Sequence, residues 1–117
     1  MRVTVAIVGT ALAVSVAGCG DDTARTLRSV ASWASASELL GRQWLAGHLP
    51  KRYAIQTLDR ATEELKDKGD HGGATASAVD RLRGAIARED AAAAHQALDQ
   101  LSGTREVLTR RAMEARP

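Results

Sequence analysis

The sequence predicts an all-α protein whose helices pack as an antiparallel, up-and-down four-helix bundle. Apolar residues recur three and four positions apart in four separate stretches, which is the spacing of one face of a helix. Glycines and prolines separate the stretches, and these separators are short enough to join antiparallel neighbours. Alanine is abundant, as in the run Ala91 to Ala94, and favours helix. The alternative is a three-helix domain that carries the first helix as a stalk.

The first helix is expected to begin at Asp22 or Thr23, either of which can cap a helix, and to end at about Gly47. At about 100° per residue its apolar residues cover half of the circumference, so the helix can contact two neighbours. Ser37 and Gly41 lie within this stripe, where small side chains let another helix approach closely. The apolar residues of the stripe are Leu27, Val30, Ala31, Trp33, Ala34, Leu40, Trp44 and Leu45.

Pro50 is expected in the first turn of the second helix, where its missing N–H would have no partner in any case. This helix should end near Gly69, and the glycine-rich segment from Gly69 to Gly73 is predicted to be a flexible loop. The second helix is expected to bury Ala54, Leu58, Ala61 and Leu65, and the third Ala78 or Val79, Leu82 and Ile86.

The fourth helix is predicted to run from Ala91 towards Ala115, with Asp90 as its cap. Its apolar line consists of Ala94, Leu98, Leu101, Leu108 and Ala112. The pair Ser102-Gly103 is a weak spot at which the helix could bend or break. Arg105 also falls on the apolar line, so it must reach a carboxylate or extend outward, and Glu38 of the first helix is the predicted partner.

The N-terminal segment has the composition of a secretory signal. An apolar run of 15 residues, Val3 to Ala17, follows the single positive charge of Arg2. This run is shorter than the roughly 20 residues that a helix needs to span a bilayer, so removal is favoured over permanent anchoring. The run ends in Val16-Ala17-Gly18-Cys19, a branched apolar residue and two small residues before a cysteine. This motif resembles the lipobox of bacterial prolipoproteins.

The resemblance implies cleavage between Gly18 and Cys19 and a diacylglycerol on the Cys19 sulfur, with further acylation, such as palmitate, on the new amino group. The chain then divides into a signal peptide (1–18), a lipidated tether (19–22) and a helical bundle domain (23–117). An unprocessed N-terminal anchor and a soluble secreted protein remain the alternatives. Cys19 is the only cysteine, so a disulfide within the chain is excluded.

The resemblance also implies a location in the cell envelope, with the bundle facing the periplasm. Similar lipoproteins that carry aspartate immediately after the cysteine are often kept at the inner membrane. The chain has Gly20 at that position, which favours the outer membrane.

Charge and motifs argue against several classes of function. The formal net charge is +2, from 16 basic and 14 acidic residues, which gives no one-sided basic surface for nucleic acid. No glutamate has a histidine three residues later, as di-iron bundles require, and no nucleophile motif or phosphate-binding glycine loop occurs. The sequence therefore predicts neither an enzyme nor a resident cofactor.

Two functions remain open at this stage. The first is a membrane-tethered interaction or accessory module that binds a protein of the envelope. The second is a bundle that binds a small ligand or a metal, for which His48 and His95 are candidates because both should lie at the same end of the bundle. Trp33 and Trp44 are three turns apart on one face of the first helix, where core packing is favoured over a ligand slot.

Overall fold

The computed structural model describes the backbone of residues 4–115 and the side chains of residues 22–115. In this range the chain forms four α-helices, α1 (Thr4–Leu45), α2 (Lys51–Lys66), α3 (Gly73–Ala87) and α4 (Ala91–Glu114). A single 3-10 turn, Gly69–Gly72, joins α2 to α3, and the described residues contain no strand. The helices pack as a four-helix bundle, so the predicted fold class is confirmed.

All four helices contribute to one apolar core. α1 packs most closely on α4, α3 packs on both α2 and α4, and the seam between α1 and α2 is looser. Leu27, Val30 and Ala34 of α1 are almost fully buried, so α1 is part of the bundle and the stalk alternative is wrong. The predicted apolar lines of the other helices are buried as expected: Ala54, Leu58, Ala61, Leu65, Ala78, Val79, Leu82, Ile86, Ala94, Leu98, Leu101, Leu108 and Ala112.

The start of α1 differs from the prediction. Its backbone is helical from Thr4, so the expected boundary at Asp22 or Thr23 is wrong. No proline interrupts the segment, and isolated glycines weaken a helix without ending it. Within residues 22–115, the first buried side chain is that of Ala24, which is 2% exposed. The side chains of the predicted signal peptide (1–18), and those of the predicted tether (19–22) as far as Asp21, are outside the described residues. Cleavage and lipidation therefore stay predictions.

Hydrogen bonds confirm the predicted C-terminal end of α1 and the predicted start of α4. Gly47 has a φ of +80°, and the N–H of His48 donates to the carbonyl of Gln43 at 2.8 Å, which closes the C-terminus of α1. At the start of α4, a carboxylate oxygen of Asp90 accepts from the N–H of Ala93 at 3.0 Å. Pro50 is the residue immediately before α2, which begins at Lys51, whereas the sequence predicted it within the first turn of that helix.

The end of α3 uses the same geometry without a glycine. Glu89 has a φ of +55°, and the N–H of Asp90 donates to the carbonyl of Ala85 at 2.8 Å. A left-handed conformation costs a residue with a Cβ about 1 kcal/mol. The Glu89 carboxylate accepts from the Lys51 ammonium at 3.1 Å, which joins the end of α3 to the start of α2.

Two further expectations concern helix packing. α4 continues unbroken through Ser102 and Gly103, so the predicted weak spot does not end the helix. Gly41 is in close contact with α3 and α4, since a Cβ at this position would lie 2.8 Å from Leu98 Cδ2 and 3.0 Å from Leu82 Cδ2. The close approach predicted at Gly41 is therefore confirmed.

The segment from Gly69 to Gly73 is more ordered than predicted. Gly69–Gly72 forms the 3-10 turn, and Gly73 is already the first residue of α3. Gly69 takes a φ of +66°, which only glycine adopts at little cost. Gly72 is buried against the end of α2. The glycines thus serve a tight turn and a close packing contact, and the predicted flexible loop is wrong.

Candidate functional site

The bundle has two ends that differ in their distance from Cys19. The proximal pole consists of the α1 turns around Ala24, the 3-10 turn Gly69–Gly72 and the last turns of α4. The distal pole consists of the connections 46–50 and 88–90. Cys19 precedes Ala24 by five residues on the same backbone helix, a rise of about 8 Å. Whatever is joined to Cys19 is therefore held next to the proximal pole.

A groove opens on the outer surface between α1 and α4 at the proximal pole. It has a volume of about 390 Å³ and is lined by Arg28, Ala31, Thr109, Ala112 and Met113. We call it the proximal groove. The Met113 side chain is 66% exposed at its edge, which is unusual for a large apolar residue. The surface of the groove is therefore predominantly apolar and open to solvent.

A second depression adjoins the proximal groove along α4. It is lined by Arg105, Glu106, Arg110 and the two residues that it shares with the groove, Thr109 and Met113. Sequence reasoning missed both depressions. The walls of the proximal groove come from segments about 80 residues apart, whereas the second depression is lined by α4 alone. The sequence contained only a weak signal for the proximal groove. Ala112 is on the predicted apolar line of α4, and Met113 is merely the residue that follows it.

A buried carboxylate links α1 to α4 on the distal side of the proximal groove. Glu38 is 6% exposed and accepts from Arg105 Nε at 2.6 Å, which confirms the predicted pair. Arg42 Nη2 lies 3.5 Å from the other Glu38 oxygen. The hydrogen bond and the charge of Glu38 raise the pKa of the Arg105 guanidinium, which therefore stays charged at any physiological pH. This arrangement satisfies a buried charge and fixes how α1 faces α4.

The histidines do not form a metal site in the described part of the chain. His48 and His95 are exposed, and His48 Nδ1 lies 3.0 Å from Gln43 Oε1 on its own helix end. Within residues 22–115, no group of three or more His, Cys, Asp and Glu residues could hold a metal ion. The metal-binding hypothesis for His48 and His95 thus gains no third ligand from these residues.

The two tryptophans pack against the core, each with part of its ring exposed. Trp33 fills the loose seam between α1 and α2 together with Leu40 and Leu58, leaving a space of about 20 Å³. A space of this size holds about one water molecule. The predicted core role of Trp33 and Trp44 therefore agrees with the structure, and this seam has no room for a larger ligand.

Thr75 is a buried polar residue that the sequence did not single out. It is fully buried near the start of α3, and its hydroxyl has no hydrogen-bond partner among the described atoms. Such a group reduces stability by about 1 kcal/mol or more.

Comparison with protein-family models, with curated proteins and with solved structures gives no match. In the described portion of the chain, no helix is both long and apolar enough to cross a membrane. The function of this chain is therefore inferred from its own residues and their geometry.

Proposed function

We propose that this chain is a lipid-anchored, non-enzymatic helical bundle of the bacterial cell envelope. Acyl chains on Cys19 hold it on a membrane, with the outer membrane favoured by Gly20, and the bundle faces the periplasm. There it acts as an interaction or accessory module for an envelope protein. The proposal rests above all on one observation, the cysteine motif Val16-Ala17-Gly18-Cys19 at the end of an apolar run.

The position of this motif relative to the bundle supports the proposal. One acyl chain binds a membrane only marginally, whereas two or three chains hold a protein stably, at about 0.8 kcal/mol per buried methylene. Among the described side chains, the first buried one is Ala24, five residues after Cys19. An anchored bundle would therefore stand with its proximal pole at the membrane. Gly47, at the distal pole, follows Cys19 by 28 residues, a distance of about 40 Å along a helix.

The distal half of the bundle presents residue types that dominate protein interfaces. Leu39 on α1 is 60% exposed and Tyr53 on α2 is 53% exposed. Arg52 is also exposed beside Tyr53. Tyrosine and arginine are enriched among the residues that contribute most to binding, and exposed apolar side chains add buried area. These side chains are the proposed contacts for an envelope partner.

The anchor is tested by lipid labelling. When the full chain is expressed in a bacterial host with labelled palmitate, we expect label on the chain and an intact mass that corresponds to residues 19–117 plus diacylglycerol and one further acyl group. The variant Cys19→Ser should lose all label, because no other cysteine is present.

A matched control places a thiol elsewhere. The double variant Cys19→Ser/Ser35→Cys carries its cysteine on an exposed turn of α1 and should take up no label. An intact Met1, or an unmodified thiol on Cys19, would refute the anchor.

The partner surface is tested by co-purification from solubilised membranes after crosslinking in cells. We expect one envelope protein to be recovered with the full chain, and its recovery to fall about fivefold or more in Leu39→Ala and Tyr53→Ala. Both side chains are more than half exposed, so neither change should disturb the core. The control Glu63→Ala alters an exposed residue of α2 near its proximal end and should leave recovery unchanged. Equal recovery from all four proteins would contradict the proposed surface.

A further inference from the structure

Thr75 is a buried threonine whose hydroxyl lacks the acceptor that other helical threonines use. Thr62 and Thr104 each donate to the carbonyl oxygen four residues earlier, at 3.0 and 2.9 Å. The residue four positions before Thr75 is His71, which belongs to the 3-10 turn. A 3-10 turn winds more tightly than an α-helix, so its carbonyl groups point differently. The fully buried Thr75 hydroxyl has no partner among the described atoms, which disfavours this packing.

The segment 69–75 contributes little to the core. Only Gly72 and Thr75 are buried in it, and neither has a large apolar side chain. The first buried apolar residue of α3 is Ala78. Segments with few buried apolar contacts open locally at a lower cost in free energy than the core does. The three glycines of the segment also gain more backbone freedom on release than other residues would.

The start of α3 lacks the side-chain cap that α4 has. Gly72 precedes α3 and has no side chain with which to cap it. At the start of α4, by contrast, Asp90 accepts from the N–H of Ala93. Threonine is one of the preferred caps, because its hydroxyl oxygen accepts from an N–H two or three residues later. If α3 began at Ala76, Thr75 would be in the position of that cap.

The rest of α3 keeps its packing when the helix begins at Ala76. This shorter helix retains every buried apolar residue of α3: Ala78, Val79, Leu82, Ala85 and Ile86. The N–H groups of residues 76–78 lose their helical acceptors, which are the carbonyls of residues 72–74. The Thr75 hydroxyl then replaces one of these acceptors, because it can accept from the N–H of Ser77 or Ala78.

We infer that the segment 69–75 opens and closes as a local unit, and that Thr75 leaves the core to cap a shortened α3 in the open state. The unpaired hydroxyl disfavours the closed state and the cap favours the open state, so one group acts on both. Opening removes the contact of the 3-10 turn with α1 and uncovers the end of α2 at Leu65, on which Gly72 packs. The proximal pole thereby has two states. The inference does not depend on acylation of Cys19.

The experiment is amide hydrogen exchange of the full chain in a non-ionic detergent, followed residue by residue by NMR spectroscopy. After correction for intrinsic rates, we expect the N–H groups of Ala76 and Ser77 to exchange at least about tenfold faster than that of Leu82. Low concentrations of urea should accelerate exchange at Leu82 only, because local opening exposes little surface. Equal rates and equal urea dependence at the three residues would mean that the segment unfolds only with the whole bundle, which would overturn the proposal.

Thr75→Val removes the hydroxyl and keeps the shape of the side chain. It should slow exchange at Ala76 and Ser77 about 25-fold, because removal of an unpaired hydroxyl and loss of a cap are each worth about fivefold. Thr75→Ser keeps a hydroxyl and should not slow exchange. Thr104→Val is the matched control: it removes a partly buried hydroxyl that has a partner, and it should leave exchange at Ala76 and Ser77 unchanged.

Two results with these variants would contradict the proposal. The first is slowing of less than about fivefold in Thr75→Val, or equal slowing in Thr75→Ser. The second is faster exchange and a lower melting temperature in Thr75→Val, which would show that the hydroxyl has a partner such as a buried water. Circular dichroism verifies that each variant is folded. If Thr75→Val does not fold, the urea dependence of exchange in the native chain still decides between local opening and global unfolding.

Discussion

Replacing Gly72 with alanine is expected to lower the free energy of unfolding by about 3 kcal/mol or more. A Cβ at this position would overlap the carbonyl oxygen of Leu65 and lie 3.1 Å from its carbonyl carbon and 3.3 Å from Lys68 Cβ. The two Leu65 atoms belong to the backbone of the last turn of α2 and cannot rotate away as a side chain does. For a domain of this size the melting temperature, followed by circular dichroism, should fall by about 15 °C.

The neighbouring glycine is the control. Gly73 has a φ of −61° and a ψ of −50°, and a Cβ there would meet nothing within 4 Å. Gly73→Ala should therefore raise stability by about 0.5 kcal/mol, because alanine loses less backbone entropy on folding. If both variants melted at the native temperature, the close packing of the 3-10 turn against α2 would be wrong.

The Gly72 contact also shows where sequence reasoning reaches its limit. Apolar periodicity predicts which face of each helix is buried, because the period of a helix is fixed by its local geometry. The ends of the helices at Gly47 and Asp90 were predictable for the same reason, since a cap depends on residues within one turn. Gly72 packs on an atom seven residues away, and whether it does so depends on how α2 and α3 close on each other.

The candidate sites also divide into features that depend on local sequence and features that depend on how the helices pack. The motif that ends at Cys19 is local and readable from the sequence, although its chemistry remains a prediction. The proximal groove depends on the registration of Arg28 in α1 against Met113 in α4, which no local pattern specifies. Thr75 illustrates a further limit, because a hydroxyl near the start of a helix gives no sign that it will be buried without a partner.

The pair of Glu38 and Arg105 is an exception, since it was predicted across 67 residues. The reason is that a charge on an apolar line must be matched, and few carboxylates lie at the edge of a facing stripe. We expect Arg105→Met to lower the free energy of unfolding by about 2 kcal/mol. The variant leaves the Glu38 side chain, 8% exposed, with only the weaker contact to Arg42 at 3.5 Å. This cost is below that of a fully buried pair, because Arg105 is itself 36% exposed.

The double variant Glu38→Leu/Arg105→Met distinguishes a matched charge from a stabilising ion pair. With both charges replaced by apolar groups, no buried carboxylate remains unmatched, and stability should return to within about 1 kcal/mol of the native chain. Arg42→Ala, which removes a side chain that is 62% exposed, should change stability by less than about 0.5 kcal/mol. Urea unfolding, followed by the fluorescence of Trp33 and Trp44, measures all three. A double variant no more stable than Arg105→Met would mean that the pair stabilises the bundle outright. If the stability of the double variant recovers, the role of the Glu38–Arg105 pair is to fix how α1 and α4 align. That alignment forms the proximal groove.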